Sequence, residues 1–229
     1  MPTKKNRLKG IEIIHDDRDV LVVDKPPGLL TMATDKEKVK TAYYILTDYV
    51  RKGYSKSRNR IYIVHRLDKG TSGLLIFAKS EKAKFYLQNQ WAKTEKKYLA
   101  VVHGNLSRKE GTISSFLAEN INRMMYSTSN ASKGKLSHTG YRVLKETKNF
   151  SLLEITLITG RKNQIRVHLA DKGCPVVGDK KYGDAHDAHK RLALHAKSIT
   201  FNHPFSGKQL TFDTKIPGWF NSLINAHGN

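Results

Sequence analysis

The chain has 229 residues, with 41 lysines and arginines against 20 acids and a formal net charge of +21 at pH 7. That length suits one large domain or two small ones with a core that needs no staples, and the charge points to a polyanionic partner, nucleic acid ahead of an anionic membrane surface. A single cysteine, Cys174, excludes an internal disulfide and a multi-cysteine zinc site and fits a reducing cytoplasm.

Residues 1–9 read as a basic tail without the apolar centre of a secretory signal. No apolar run anywhere approaches the ~18–20 residues of a membrane span. Ile11, Ile13 and His15 alternate and Val20-Leu21-Val22-Val23 follows, which predicts two short strands joined by a tight turn at Asp16, Asp17 and Asp19. Pro26-Pro27-Gly28 breaks the second strand. Tyr44, Ile45, Tyr49 and Val50 lie at near-helical spacing, so residues 41–51 predict a short helix. A Lys/Arg/Ser-rich loop covers residues 53–60, then Ile61–Val64 predicts a strand. Glu81 to Trp91 predicts a helix capped by Ser80. Further strands are expected at Lys97–Val102, Thr139–Leu144 and Leu152–Ile158, with the polar stretch from Glu119 to His138 as a long loop or irregular hairpin. Asn163 to Lys172 predicts a helix closed by Gly173. Two strands, Leu192–Phe201 and Gln209–Phe212, flank the turn at His203-Pro204, and a last helix is expected near Gly218 to Ala226. Strands outnumber helices and short turns join many of them. The expected fold is α+β, a mostly antiparallel mixed sheet with flanking helices, as one domain over residues 10–229.

Chemistry concentrates in three segments. In His65-Arg66-Leu67-Asp68-Lys69 a lone acid sits among cations, before the small-residue turn Thr71-Ser72-Gly73 and the apolar run from Leu74 to Ala78. An acid so placed, at a strand end in electropositive surroundings, keeps its charge at neutral pH. For an isolated Arg-x-Asp a structural ion pair is the ordinary reading; the buried strand that follows raises the case for function. In Thr159-Gly160-Arg161-Lys162-Asn163-Gln164-Ile165-Arg166-Val167-His168 a strand gives way to a helix start rich in cations, a place suited to phosphate or carboxylate. Arg166 lies between apolar neighbours, so a partly buried guanidinium needs an anion, for which Asp68 is the candidate. Third, Lys97-Tyr98-Leu99-Ala100 carries a strand tyrosine that either packs in the core or stacks on a base. There is no phosphate-binding Gly-x-x-x-x-Gly-Lys loop. Asp184, His186, Asp187 and His189 are plausible metal ligands without a fixed further partner, so the stretch reads as a solvated loop and no metal is expected.

Taken together the chain resembles the RluA family of pseudouridine synthases. His65-Arg66-Leu67-Asp68 through Lys79 is similar to that family's catalytic motif, Lys97–Ala100 to its tyrosine motif, and Thr159-Gly160-Arg161 through His168 to its arginine motif. Asp24-Lys25-Pro26-Pro27-Gly28, Gly173–Asp179 with Tyr182-Gly183, Arg191–Ala196 and His203-Pro204 recur in the same order, so the likeness runs from about Ile11 to Pro217. It departs at Asn163, where relatives usually carry histidine, and no S4-type RNA-binding domain is expected before the catalytic pattern.

The resemblance implies a single catalytic domain with long RNA-contacting loops around a cleft, and isomerisation of uridine in RNA to pseudouridine without cofactor or metal. It implies Asp68 as the essential carboxylate, either nucleophile or base at C2′, with Arg166 holding it charged and oriented and Tyr98 packed on the uracil. Arg66 is expected to fill the space of the flipped nucleotide, and His65, Leu67, Thr71, Arg161, Gln164 and Ile165 to contact substrate. Lys4, Lys5, Arg7, the 51–60 loop, Arg123, Lys133 and Lys135 are candidates for the phosphate grip. The expected partner is a tRNA stem-loop or ribosomal RNA, the expected state a cytoplasmic monomer. A non-catalytic RNA-binding or ribosome-assembly factor with the same fold is the main alternative, and a hydrolase or nuclease using Asp68 the weaker one.

Overall fold

The computed structural model describes residues 7–225. Lys4, Lys5 and Ala226, named above, lie outside the described residues. The strands are β1 (Arg7–Leu8), β2 (Ile11–Asp16), β3 (Val20–Lys25), β4 (Tyr62–Ile63), β5 (Ser72–Ala78), β6 (Glu95–His103), β7 (Glu110–Glu119), β8 (Met125–Thr128), β9 (Lys135–Glu146), β10 (Phe150–Leu157), β11 (Leu194–Asn202) and β12 (Gln209–Asp213). The helices are α1 (Ala42–Arg51), α2 (Glu81–Asn89), α3 (Gln164–Asp171) and α4 (Gly218–Asn225). The class is α+β, as the patterning implies.

The chain forms two compact units, each assembled from two separate stretches, so no single linker marks a boundary in the sequence. One unit comprises residues up to Thr94 with Ser198–Thr214; the other comprises Glu95–Lys197 with the stretch from Lys215.

In the first unit β1, β2, β3 and β5 pair in that order, antiparallel, with β4 also on β5 and β12 on β11. Leu21 faces Phe77 and Val23 faces Leu75 across the central pair, all fully buried. Burying each such side chain is worth roughly 1.5–3 kcal/mol, which makes β3 and β5 the fixed floor on which the preceding loop rests. Both helices start where expected. The Thr41 hydroxyl accepts from the Tyr44 N–H at 3.1 Å and the Ser80 hydroxyl from the Ala83 N–H at 3.1 Å, each satisfying an otherwise orphaned donor. α1 ends at Lys52, which adopts a left-handed conformation (φ 53°), and α2 stops at Asn89, before Trp91. Its buried face, Ala83 and Leu87, packs on Leu74, Ile76 and Val20.

In the second unit the antiparallel order is β6, β10, β9, β7, β8. β7 has no counterpart among the expected strands. Ser114, Ser115 and Gly111 dilute its apolar pattern, and what makes it a strand is pairing on both edges, with β8 and β9. The stretch from Glu119 to His138 is a hairpin: β8 returns along β7 through a turn in which the Asn120 side chain accepts from the Met124 N–H at 2.9 Å and Arg123 takes φ 57°. α3 is shorter than expected and buried on most of its surface, with Gln164, Ile165, Val167, His168 and Leu169 all inaccessible.

Candidate active site

In the first unit, Asp68 lies half-buried in the connection from β4 to β5. Main-chain contacts hold this connection. The Thr71 N–H donates to the Asp68 carbonyl at 3.1 Å, and the Gly28 N–H to the Lys69 carbonyl at 2.8 Å. One hydroxyl clamps Leu67 from both sides: Thr31 Oγ1 donates to its carbonyl at 2.9 Å and accepts from its N–H at 3.2 Å. Leu67 and Thr71 are themselves buried. His65 accepts the Ile76 N–H on Nε2 at 3.0 Å and stacks on Trp91 with ring centroids 4.4 Å apart, which ties the motif to β5. Arg66 is exposed, with Nη1 3.5 Å from Met32 Sδ. Met32 also lines a cavity of about 460 Å³ with Tyr43, Arg60, Tyr62, Glu81 and Lys84, so aromatic, cationic and acidic side chains wall it beside the motif.

Beneath the connection lies a group that sequence reasoning passed over. Lys25, at the end of β3, is fully buried, and its ammonium donates to the carbonyls of Pro26 (3.0 Å), Leu29 (2.8 Å) and Lys69 (3.4 Å). Burial pushes its pKa down to about 8, while the charges of Asp68 and Asp24 pull the other way. A buried cation is thus held against the loop that presents Asp68. Its signals in the sequence were a lysine closing an apolar strand run, Val20 to Val23, and its place in the recurring Asp24-Lys25-Pro26-Pro27-Gly28, neither of which gave it a role.

In the second unit, Tyr98 sits mid-strand in β6, opposite Ile155 of β10, with 8% of its surface exposed. Arg161 is exposed in the turn before α3. Gln164 organises that turn: Oε1 accepts from the Thr159 hydroxyl at 2.9 Å and the Arg161 N–H at 3.0 Å, while Nε2 donates to the His138 carbonyl and Thr139 Oγ1, each at 2.9 Å. Ile165 faces the core. Arg166 reaches Asp179 with two parallel hydrogen bonds, Nε to Oδ2 and Nη2 to Oδ1, each 2.7 Å. Asp179 also accepts the N–H groups of Lys181 (2.9 Å) and Tyr182 (3.1 Å). Burial raises this carboxyl, but the guanidinium and the two amides outweigh it and hold the pKa below its usual value. The Tyr182 ring lies under the Arg166 guanidinium at 5.0 Å. Its hydroxyl donates to Asn163 Oδ1 at 3.1 Å and accepts from the Met125 N–H at 3.1 Å. Asn163 adopts φ 52°, a left-handed conformation that asparagine tolerates well. Asp179 and Tyr182 were visible in the sequence as recurring residues without a role. His168, inside the arginine motif, is a core residue. It bonds Thr139 Oγ1 at 2.9 Å and Ser115 Oγ at 3.0 Å, and burial lowers its pKa to about 4, which keeps it neutral.

These segments coincide with a known family. A profile described as RNA pseudouridylate synthase matches residues 19–171, a stretch containing Asp68, Tyr98 and Arg166. Over 220 residues the chain is 35% identical to the ribosomal large subunit pseudouridine synthase D of Zymomonas mobilis, covering 90% of this chain and 69% of that one. It is 33% identical to the ribosomal large subunit pseudouridine synthase C of Rickettsia bellii, covering 92% and 70%. Among solved structures, human RNA pseudouridylate synthase domain containing 4 superposes with a TM-score of 0.76 at 23% identity over 91% of this chain and 90% of that one, a likeness of fold. The chain belongs to the RNA pseudouridylate synthase family, of the RluA type, and is an isomerase that converts uridine to pseudouridine in RNA.

Proposed function

We propose that the substrate is a uridine in a structured segment of large-subunit ribosomal RNA and that Asp68 is the essential carboxylate. The observation that carries the assignment of Asp68 is the way its loop is built. Thr31 clamps the preceding residue by both main-chain groups, and the buried ammonium of Lys25 holds the following carbonyl, so the carboxylate is presented from a rigid support. The ribosomal target is favoured by the names of the relatives from Zymomonas mobilis and Rickettsia bellii, both large-subunit enzymes. A charge of +21 suits a partner gripped through many phosphates.

In this reading the N1–C1′ bond breaks, the uracil turns, and a C5–C1′ bond forms; the proton lost from C5 is balanced by the one gained at N1. Asp68 acts on the ribose, as nucleophile at C1′ or as base at C2′. Tyr98 packs against the uracil, and Arg166 orients the carboxylate. Arg66, exposed at the motif's edge, takes the place of the flipped nucleotide and offsets part of an unstacking cost of a few kcal/mol.

Tritium release from 5-tritiated uridine in unmodified 23S-type ribosomal RNA and in tRNA tests this. Wild type is expected to release tritium from the ribosomal RNA and Asp68→Asn to release none while binding it equally. Release that persists in Asp68→Asn refutes the role of Asp68. Binding without release by either form favours an assembly factor, and response to tRNA alone reassigns the substrate. Deuterium at C2′ gives a primary isotope effect only if Asp68 is the base.

A further inference from the structure

The second unit also holds a cluster that isomerisation does not use. His103 ends β6, and Asp187 and His189 lie in the connection from α3 to β11. The Asp187 side chain is 3% exposed, with Oδ2 2.8 Å from His103 Nε2 and Oδ1 2.6 Å from His189 Nδ1. One potential ligand atom from each residue falls within 4.8 Å of the others. The carboxylate is held from behind by the Gly178 N–H on Oδ2 at 2.7 Å and the His189 N–H on Oδ1 at 2.9 Å. Phe150 packs against both imidazoles, with centroids at 5.4 Å from His103 and 5.8 Å from His189. The two histidine side chains remain 34% and 31% exposed, so the cluster has a solvent face.

We propose that His103, Asp187 and His189 form a binding site for a divalent transition ion, zinc in the first instance. Two imidazole nitrogens and one carboxylate oxygen are a borderline donor set that suits zinc, and three protein ligands with an open fourth side leave room for water. The outer contacts are those a ligand set requires: two backbone amides orient the carboxylate, and an aromatic ring fixes the imidazole planes. Hydrogen bonds alone satisfy the carboxylate, but they do not call for two half-exposed imidazoles converging on one buried acid. On binding, each imidazole presents its lone pair and carries its proton on the other ring nitrogen. Ligand distances of about 2.0–2.1 Å in a tetrahedron separate the donor atoms by about 3.3 Å, so the ring nitrogen that now contacts the ligating oxygen moves away from it by roughly half an ångström. Asp184 and His186 take no part: both are exposed, and the Asp184 carboxylate caps the His186 N–H at 2.8 Å. The partner that the 184–189 stretch lacked in the sequence is His103, 84 residues before Asp187. The ion would tie the end of β6 to the loop that carries Asp179 and Tyr182, the groups on which Arg166 rests.

The test is calorimetric titration of zinc chloride into tag-free, chelator-treated full-length protein, with melting temperature followed in parallel. Wild type is expected to bind one equivalent with micromolar or tighter affinity and to melt higher as zinc saturates. His103→Ala and His189→Ala are each expected to bind at least tenfold more weakly and to lose the zinc-dependent rise, whereas His186→Ala binds as wild type. Cobalt in place of zinc reports the coordination through its visible bands, which are intense only for a four-coordinate ion, and His103→Gln or His189→Gln replaces the corresponding alanine variant if that variant fails to fold. No stoichiometric binding, unchanged binding in both His103→Ala and His189→Ala, or loss in His186→Ala instead overturns the assignment. None of these readouts depends on RNA modification.

Discussion

Asp179→Asn isolates the support under Arg166 while preserving side-chain shape. Asp179 is buried and its two oxygens take four hydrogen bonds, two from the guanidinium and two from the amides of Lys181 and Tyr182. An asparagine oxygen in place of Oδ1 keeps Nη2 and both amides, but its NH₂ then faces Nε, donor against donor, and the negative charge of Asp179 is lost. Removing one partner of a buried ion pair costs about 3–5 kcal/mol. The Arg166 side chain keeps 11% exposure and the Tyr182 ring beneath it, which favours the lower end, about 3 kcal/mol. At roughly 2–4 °C per kcal/mol for a chain of this size, the melting temperature should fall by roughly 6–12 °C. The pH dependence has a definite sign. A carboxyl whose pKa is depressed in the fold contributes stability that is full above its unfolded value of about 3.9 and is lost as pH falls through the lower folded value. Thermal melts followed by circular dichroism should therefore show the full gap between wild type and variant at pH 7 and a narrowing gap below about pH 4. Well below both melting temperatures, tritium release should fall in kcat with RNA affinity kept. A variant that melts with wild type, or a gap that acid does not narrow, refutes the reasoning.

Three further outcomes are expected. Lys25→Met leaves three carbonyls without their donor and removes the cation beside Asp68; it should cost about 1–3 kcal/mol, and wild-type kcat/KM should fall above about pH 8, as Lys25 loses its proton, in a limb that the variant lacks. His168 and His195 are buried and neutral, with pKa values pushed down to about 4, so wild-type stability should decline between pH 6.5 and pH 4 as the unfolded chain takes up protons first, and His168→Gln should flatten that decline in denaturant titrations. Gly178 has φ 76°, and a Cβ there would stand 1.9 Å from the Arg191 carbonyl oxygen, so Gly178→Ala should fail to accumulate as folded protein whereas Gly160→Ala, which meets nothing within 4 Å, should behave as wild type in melts.

The sequence by itself determined the elements that local chemistry specifies. The cap at Ser80, the apolar runs at 20–23 and 74–78, and the three motifs carrying Asp68, Tyr98 and Arg166 are readable because their causes lie within a few residues of one another. Tertiary structure alone decided the rest. β7 is a strand because β8 and β9 flank it, not because its own residues demand it. Lys25 matters because the chain folds its tip against carbonyls as far away as Lys69, and the Arg166 guanidinium rests on Asp179, whose recurring stretch Gly173–Asp179 does not disclose that pairing. His103 meets Asp187 only when β6 and the 178–189 loop come together. Buried charge must find its partner in space, and the distance along the chain to that partner is set by topology, which no window of sequence contains.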